Sequence, residues 1–201
     1  EDEALNALKA YPGGMQIGGG ITHENAGKFL DAGASHVIVT SFVFRNGIFD
    51  YSNLEKLIKK IGKEKLVIDL SCRIKGGAYY VVTERWQNFT DFEINHFNIV
   101  KLEEYCAEFL VHAVDVEGKQ EGVDSNLISI LGDSVSIPAT YAGGVKDCGD
   151  IGNVFRAGKG KIDLTIGSAL DIFGGSIPYS DVIKRKEFGM VYEKRRRESD
   201  L

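Results

Sequence analysis

Six apolar, β-branched runs of strand length punctuate the chain: MQIGG at 15–19, HVIVTS at 36–41, LVIDLS at 66–71, FLVHAVD at 109–115, PATYAGG at 138–144 and IDLTIGS at 162–168. Segments with helical spacing stand between them, at 26–32, 54–61, 94–108, 127–131, 151–157 and from 182 onward. Runs that are apolar throughout suit strands buried on both faces, as a parallel sheet requires. Six βα units read in one order imply right-handed crossovers, in either a doubly wound open sheet or a (β/α)8 barrel.

An internal repeat favours the barrel. GGGITHENAGKFLDAGASHVIVTS at 18–41 and AGGVKDCGDIGNVFRAGKGKIDLTIGS at 142–168 share one plan: strand end, glycine pair, helix, Ala-Gly, then a strand closing on a small residue and Ser. Gly19 and Gly143 lie 124 positions apart, about half of a typical ~250-residue barrel. The expected fold is therefore α/β, a (β/α)8 TIM-type barrel of two similar halves. Six strands do not close eight, so the first two βα units are expected to be lacking ahead of EDEALNALKAYPGG, which reads as a helix tail leading into a strand. With 201 residues, 43% of them hydrophobic, one barrel domain over 1–201 is expected, N-terminally incomplete, and a monomer.

Charge and composition exclude several classes. The formal net charge is −5 and the basic residues are scattered, so the positive stripe of a nucleic-acid binder is missing. The basic run KRRR at 194–197, flanked by Glu193 and Glu198, reads as a solvated helix end or tail. No apolar run reaches the ~20 residues of a membrane span, and the acidic EDEALNAL does not resemble a secretory or transit signal. Cys72, Cys106 and Cys148 are odd in number and widely spaced, without a disulfide or zinc pattern. A reducing, cytoplasmic location is expected, or a plastid one if a transit segment precedes this sequence.

Strands that end in glycines bring bare backbone N–H groups to a ligand, and a following helix adds its positive end; together these make a phosphate site. QIGGGI supplies Gly19 and Gly20, and YAGGV supplies Gly143 and Gly144. The strands that follow end in Thr40-Ser41 and Gly167-Ser168, which can complete each cradle. A single such pair could be a tight turn and nothing more. Two matched copies point to a small-molecule ligand with a phosphate at each end. Neither G-x-G-x-x-G nor a Walker pattern occurs, so no nicotinamide or ATP cofactor is expected, and no metal.

Barrel enzymes carry their reacting groups at the C-terminal ends of strands. Asp69 in VIDLS, and Asp115 with Glu117 in HAVDVEG, are the acid-base candidates, because a carboxylate inside an apolar strand is costly unless it is paired or used. His112, just inside its strand, is a secondary candidate, since a strand histidine is more often a satisfied core residue. An insertion at 72–91 reads as a hairpin turning at Gly76-Gly77. Arg73 stands at its base, while Arg85 and Trp86, the only tryptophan, end its distal strand. Such a hairpin can act as a lid whose indole stacks on a planar ring.

Taken together, QIGGGI, VIVTSFVF, VIDLSCR, RWQ, HAVDVEGKQEGVD, TYAGGV and LTIGSALDIFGG resemble the plant- and fungal-type branch of the phosphoribosylformimino-5-aminoimidazole carboxamide ribotide isomerases of histidine biosynthesis. The resemblance runs from about Tyr11 to Tyr179. It implies a (β/α)8 barrel with two-half symmetry, a bisphosphate substrate, and an Amadori rearrangement of an aminoaldose to an aminoketose without metal or cofactor. It further implies that one essential Asp lies on a first strand not contained here. Asp69 falls in the region of the family's fifth-strand carboxylate, whose bacterial position is Ser71 in this chain. Glu117 stands where the bacterial branch has the Asp of its Asp-Gly turn, with Asp115 two residues earlier, expected on the same strand face. The alternatives are the related cyclase of imidazole glycerol phosphate synthesis, which fits DLSCR and RWQ less well, and a non-catalytic phosphate-binding barrel remnant.

Overall fold

The computed structural model describes residues 1–184, so KRRR and most of the segment from 182 onward lie outside the described residues. The elements run α1 (Asp2–Ala10), β1 (Gln16–Gly18), α2 (Ala26–Asp31), β2 (His36–Val39), β3 (Phe44–Arg45), β4 (Ile48–Phe49), α3 (Tyr51–Ile61), β5 (Leu66–Asp69), β6 (Cys72–Lys75), β7 (Ala78–Thr83), β8 (Asn88–Glu93), α4 (His96–Leu102), β9 (Glu108–His112), α5 (Ser125–Ser134), β10 (Ala139–Ala142), α6 (Gly149–Ala157), β11 (Ile162–Thr165) and α7 (Tyr179–Ile183).

The main sheet has the order β1-β2-β5-β9-β10-β11, and every neighbouring pair is parallel. Each successive strand is added on the same side of its predecessor. A doubly wound sheet reverses direction at a switch point; this one never reverses, and it winds as a parallel half-barrel of six strands.

Alternation along the strands explains the two faces. Val37, Val39, Leu66, Ile68, Phe109, Val111, Ala139 and Tyr141 are buried, and the register places them on the helix-covered side. Leu54 and Leu57 of α3, Ile99 and Leu102 of α4, Leu127, Ile128 and Leu131 of α5, and Val154 of α6 fill the same core. At ~25 cal/mol per Å² such burial is the main drive to fold. The opposite, concave face carries His36, Ile38, Asp69, Glu108, Leu110, His112 and Thr140, all only partly buried. On it Gln16 Nε2 donates to Glu108 Oε2 at 2.7 Å and Thr140 Oγ1 to Glu108 Oε1 at 2.9 Å.

Local chemistry sets the helix starts. Asp50, Asn95 and Asp124 each accept hydrogen bonds from backbone N–H groups of the first turn they precede, which satisfies donors that a helix otherwise leaves unpaired. The helical spacing expected over 94–108 stops early: α4 ends at Leu102 and a 3-10 turn runs Glu103–Tyr105. The Ala107 N–H bonds Leu66 O at 2.9 Å, so the sheet captures the backbone there.

The insertion is a three-stranded antiparallel sheet, β6-β7-β8, that reaches Glu93. Gly76 and Gly77, with φ of 61° and 86°, form its first turn, the two-residue type whose twist suits a hairpin. Its root continues the strands below it: Cys72 bridges Ala113, and Val114 N–H bonds Cys72 O at 3.1 Å.

Candidate active site

Parallel strands bring all six C-terminal ends to one edge, and the polar residues of the sequence gather there. Asp69 ends β5, with its carboxylate on the concave face. Thr40 Oγ1 donates to Asp69 Oδ2 at 2.9 Å, and Ser71 Oγ donates to Oδ1 at 3.0 Å and Oδ2 at 3.3 Å. His112 Nδ1 stands 3.2 Å from Oδ1. That hydrogen bond raises the imidazole above its ordinary value; burial opposes it, and the charges of Asp69 and Glu117 reinforce it.

A cavity of about 230 Å³ opens beside this cluster, lined by Gly18, Gly19, Gly20, Ile38, Thr40, Ser41, Asp69 and Leu110 among others. The structure thus joins the first glycine turn to Asp69 in one concavity. Gly19 and Gly20 have φ of 100° and 67°, and a Cβ built on either meets nothing within 4 Å. The Thr40 hydroxyl, expected to complete a phosphate cradle, is committed to Asp69. The helix expected to point its positive end at the turn starts only at Ala26, because Asn25 bonds back to Gly20 O at 3.0 Å and accepts from Thr22 N. An anion at this turn would therefore rest on loop N–H groups and the exposed Ser41.

The second glycine turn has the same backbone signs in different surroundings. Gly143 and Gly144 have φ of 122° and 76°, but a Cβ on Gly143 would lie 2.9 Å from Ala113 O and 3.1 Å from Glu117 Oε2, and one on Gly144 only 2.2 Å from Gly122 O. The Gly122 N–H also bonds Gly144 O at 2.8 Å. Gly167 is open, whereas the Ser168 carbonyl accepts from Gln120 Nε2 at 3.1 Å.

The placement of Asp115 and Glu117 on one strand face does not hold. β9 ends at His112, and residues 113–119 coil through successive turns, with Val116 N–H to Ala113 O, Glu117 N–H to Val114 O and Lys119 N–H to Val116 O. Two-residue alternation has no meaning in such a coil. Asp115 turns to the insertion, where it accepts from Arg73 Nε at 2.8 Å and Ile74 N at 2.9 Å. Burial pushes its carboxyl up, but the Ile74 N–H and the Arg73 guanidinium outweigh this and hold it below the ordinary 3.8. Glu117 keeps one buried oxygen, Oε2, without a hydrogen-bond partner.

Arg85 and Trp86 lie in the turn between β7 and β8, not in a strand, and neither lines the cavity. Glu84, Arg85 and Trp86 have φ of 51°, 57° and 68°, three successive non-glycine residues in the left-handed region, which costs roughly 1 kcal/mol or more each. Sequence reasoning did not find one polar link. Tyr79 of β7 donates to both oxygens of Asp124 at 2.8 Å, and Tyr141 of β10 accepts from Asp124 N. The Asp-Ser-Asn-Leu start of α5 was a readable capping signal; its tyrosine partners were not.

Among the described residues no group of three or more His, Cys, Asp or Glu is placed to hold a metal ion, and no helix is long and apolar enough to cross a membrane.

A parallel half-barrel sheet wound in sequence order, with ionisable side chains and a glycine-lined cavity at its strand ends, defines a protein of the (β/α)-barrel class. A family model described as "Histidine biosynthesis protein" matches residues 4–177, and the chain belongs to that family. Over 180 residues it is 51% identical to the chloroplastic 1-(5-phosphoribosyl)-5-((5-phosphoribosylamino)methylideneamino) imidazole-4-carboxamide isomerase of Medicago truncatula, covering 90% of this chain and 58% of that protein. It is 50% identical to the isomerase of the same name from Neurospora crassa over 178 residues, covering 87% of this chain and 69% of the relative. For that of Saccharomyces cerevisiae the identity is 43% over 183 residues, covering 88% and 70%. The chain thus spans less than two thirds of the Medicago relative.

Proposed function

We propose that the protein is an isomerase of histidine biosynthesis that converts an N-glycosidic aminoaldose bisphosphate, the compound in its relatives' names, to the aminoketose by an Amadori rearrangement without cofactor. The observation that carries this reading is the single cavity shared by the Gly19-Gly20 turn and Asp69. It joins two glycines free of side chains to a hydrogen-bonded carboxylate, a combination that suits a phosphorylated sugar.

In this reading one phosphate rests on Gly19, Gly20 and Ser41, and the other on the exposed Gly167 and Ser168 beside the second turn, where Gly143 and Gly144 are packed against residues 113–122. The closed form is an eight-stranded barrel. The sugar lies over the strand ends beside Asp69, His112 and Glu117, and the β6-β7-β8 insertion covers it, with Arg73, Arg85 and Trp86 contributing contacts. Opening the sugar ring takes an acid at the ring oxygen, and forming the enolamine takes a base at the next carbon. Positioned groups are worth ~10²- to 10⁴-fold each. The isomerase is preferred to the cyclase because the relatives from Medicago truncatula, Neurospora crassa and Saccharomyces cerevisiae all carry the isomerase name.

The test is turnover of the aminoaldose bisphosphate, with aminoketose formation followed by NMR. The protein should catalyse it, and Asp69→Asn should lower kcat by about 10²-fold or more with little change in inorganic phosphate affinity. Near-normal turnover by that variant would remove Asp69 from the centre.

A further inference from the structure

We infer that His112 is the group that gives the proton to the sugar ring oxygen, and that Asp69 acts through it as a positioning residue. This rests on the isomerase reading above.

The Asp69 carboxylate serves as an acceptor three times over, from Thr40, Ser71 and His112. Its oxygens are occupied by side chains of β5's own loop and of the two flanking strands. His112 is arranged differently. The Nδ1 edge faces Asp69, while Nε2 makes no hydrogen bond to any described residue, and the side chain is 27% exposed. The register Asp69↔Leu110 puts Leu110, a cavity-lining residue, on the concave face. His112, two residues on, shares that face one step closer to the strand mouths. A ring held at one nitrogen and open at the other is the geometry of an oriented proton donor: the partner fixes tautomer and plane while the free nitrogen meets the substrate.

In the step, the Nε2–H proton passes to the ring oxygen as the C1–O bond breaks. The exocyclic nitrogen's lone pair forms the C=N bond, so the positive charge moves from imidazolium to iminium and the imidazole is left neutral. The titratable groups that face His112 are Asp69 from β5 and Glu117 from the turn after β9, both acidic. Both stabilise the charged, donating form, and the ring stays protonated above its ordinary 6.5.

The experiment combines histidine 15N NMR with kinetics. The chain has four histidines, and the signal lost in His112→Gln assigns the residue. In the wild type His112 should titrate above 6.5, and in Asp69→Asn, which loses the partner charge, it should titrate lower than in the wild type. His112→Gln should lose about 10²- to 10⁴-fold in kcat, keep its affinity for inorganic phosphate, and no longer show the alkaline fall in kcat that the wild type shows as His112 deprotonates. A wild type that is active alongside a His112→Gln variant of near-normal kcat overturns the donor role alone. An unmoved titration in Asp69→Asn overturns the positioning role. A wild type that never isomerises the bisphosphate overturns the isomerase reading itself.

Discussion

The two glycine turns share letters, spacing and backbone signs, yet they differ in what lies against them. At Gly19 and Gly20 no protein atom comes within 4 Å of an added Cβ, and a cavity opens there. At Gly143 and Gly144 the chain itself, residues 113–122, fills the space that side chains would take. Glycine at the first turn therefore leaves room for something other than protein, and at the second it lets two backbone segments touch. A repeat in sequence can preserve a conformation while its purpose changes.

Substitution should separate these purposes. The largest effect is expected from Gly144→Ala, which puts a left-handed alanine 2.2 Å from Gly122 O; strain and overpacking together should cost about 3 kcal/mol, read from denaturant midpoints. A loss below 1 kcal/mol would break the contrast. Gly20→Ala meets only the backbone penalty, about 1 kcal/mol. Because Gly20 lines the cavity and a left-handed alanine strains the turn that presents its N–H groups, it should also weaken inorganic phosphate binding about tenfold, or 1.4 kcal/mol. Unchanged phosphate affinity would show that the open turn is not an anion seat.

The smallest effect concerns the clamp that holds the coil beneath the second turn. Asp115→Asn removes the Arg73 pair, and because both side chains are over a third exposed, at 34% and 41%, the loss at neutral pH should stay under about 1 kcal/mol. Asp115 is held below 3.8, so its contribution is present above that pH and fades as pH falls through the folded value. The stability gap between wild type and variant should accordingly close in acid. A gap that persists at pH 2 would mean that the pair is not what Asp115 provides.

The barrel strands were legible as β-branched apolar runs, but the burial on both faces that was expected of them does not hold: β2 and β9 alternate between buried and partly buried residues, because the concave face carries His36, Asp69, Glu108 and His112. α3 and α5 were legible from helical spacing over 54–61 and 127–131, but their starts at Tyr51 and Ser125, set by Asp50 and Asp124, were not read. What could not be read was anything set by register. Thr40 and Asp69 are 29 residues apart, and only the pairing of β2 with β5 brings hydroxyl to carboxylate. The alternation assumed for Asp115 and Glu117 failed because β9 stops where Ala113 and Val114 bond to residues of β10 and β6, a competition invisible in the HAVDVEG string. Residue type singled out His112 only as a weak candidate. Its significance comes from a partner on the neighbouring strand.

The hydrogen bond between Gln16 and Glu108 also works as a ruler. β1 and β9 are separated by β2 and β5, which on a flat sheet would put them three strand spacings, about 14 Å, apart. Two extended side chains reach roughly 5 Å each, which with a 2.7 Å bond falls short of that span. The bond is a chord, and a chord shorter than its arc measures curvature: this single contact shows that the sheet is already bent like a barrel wall.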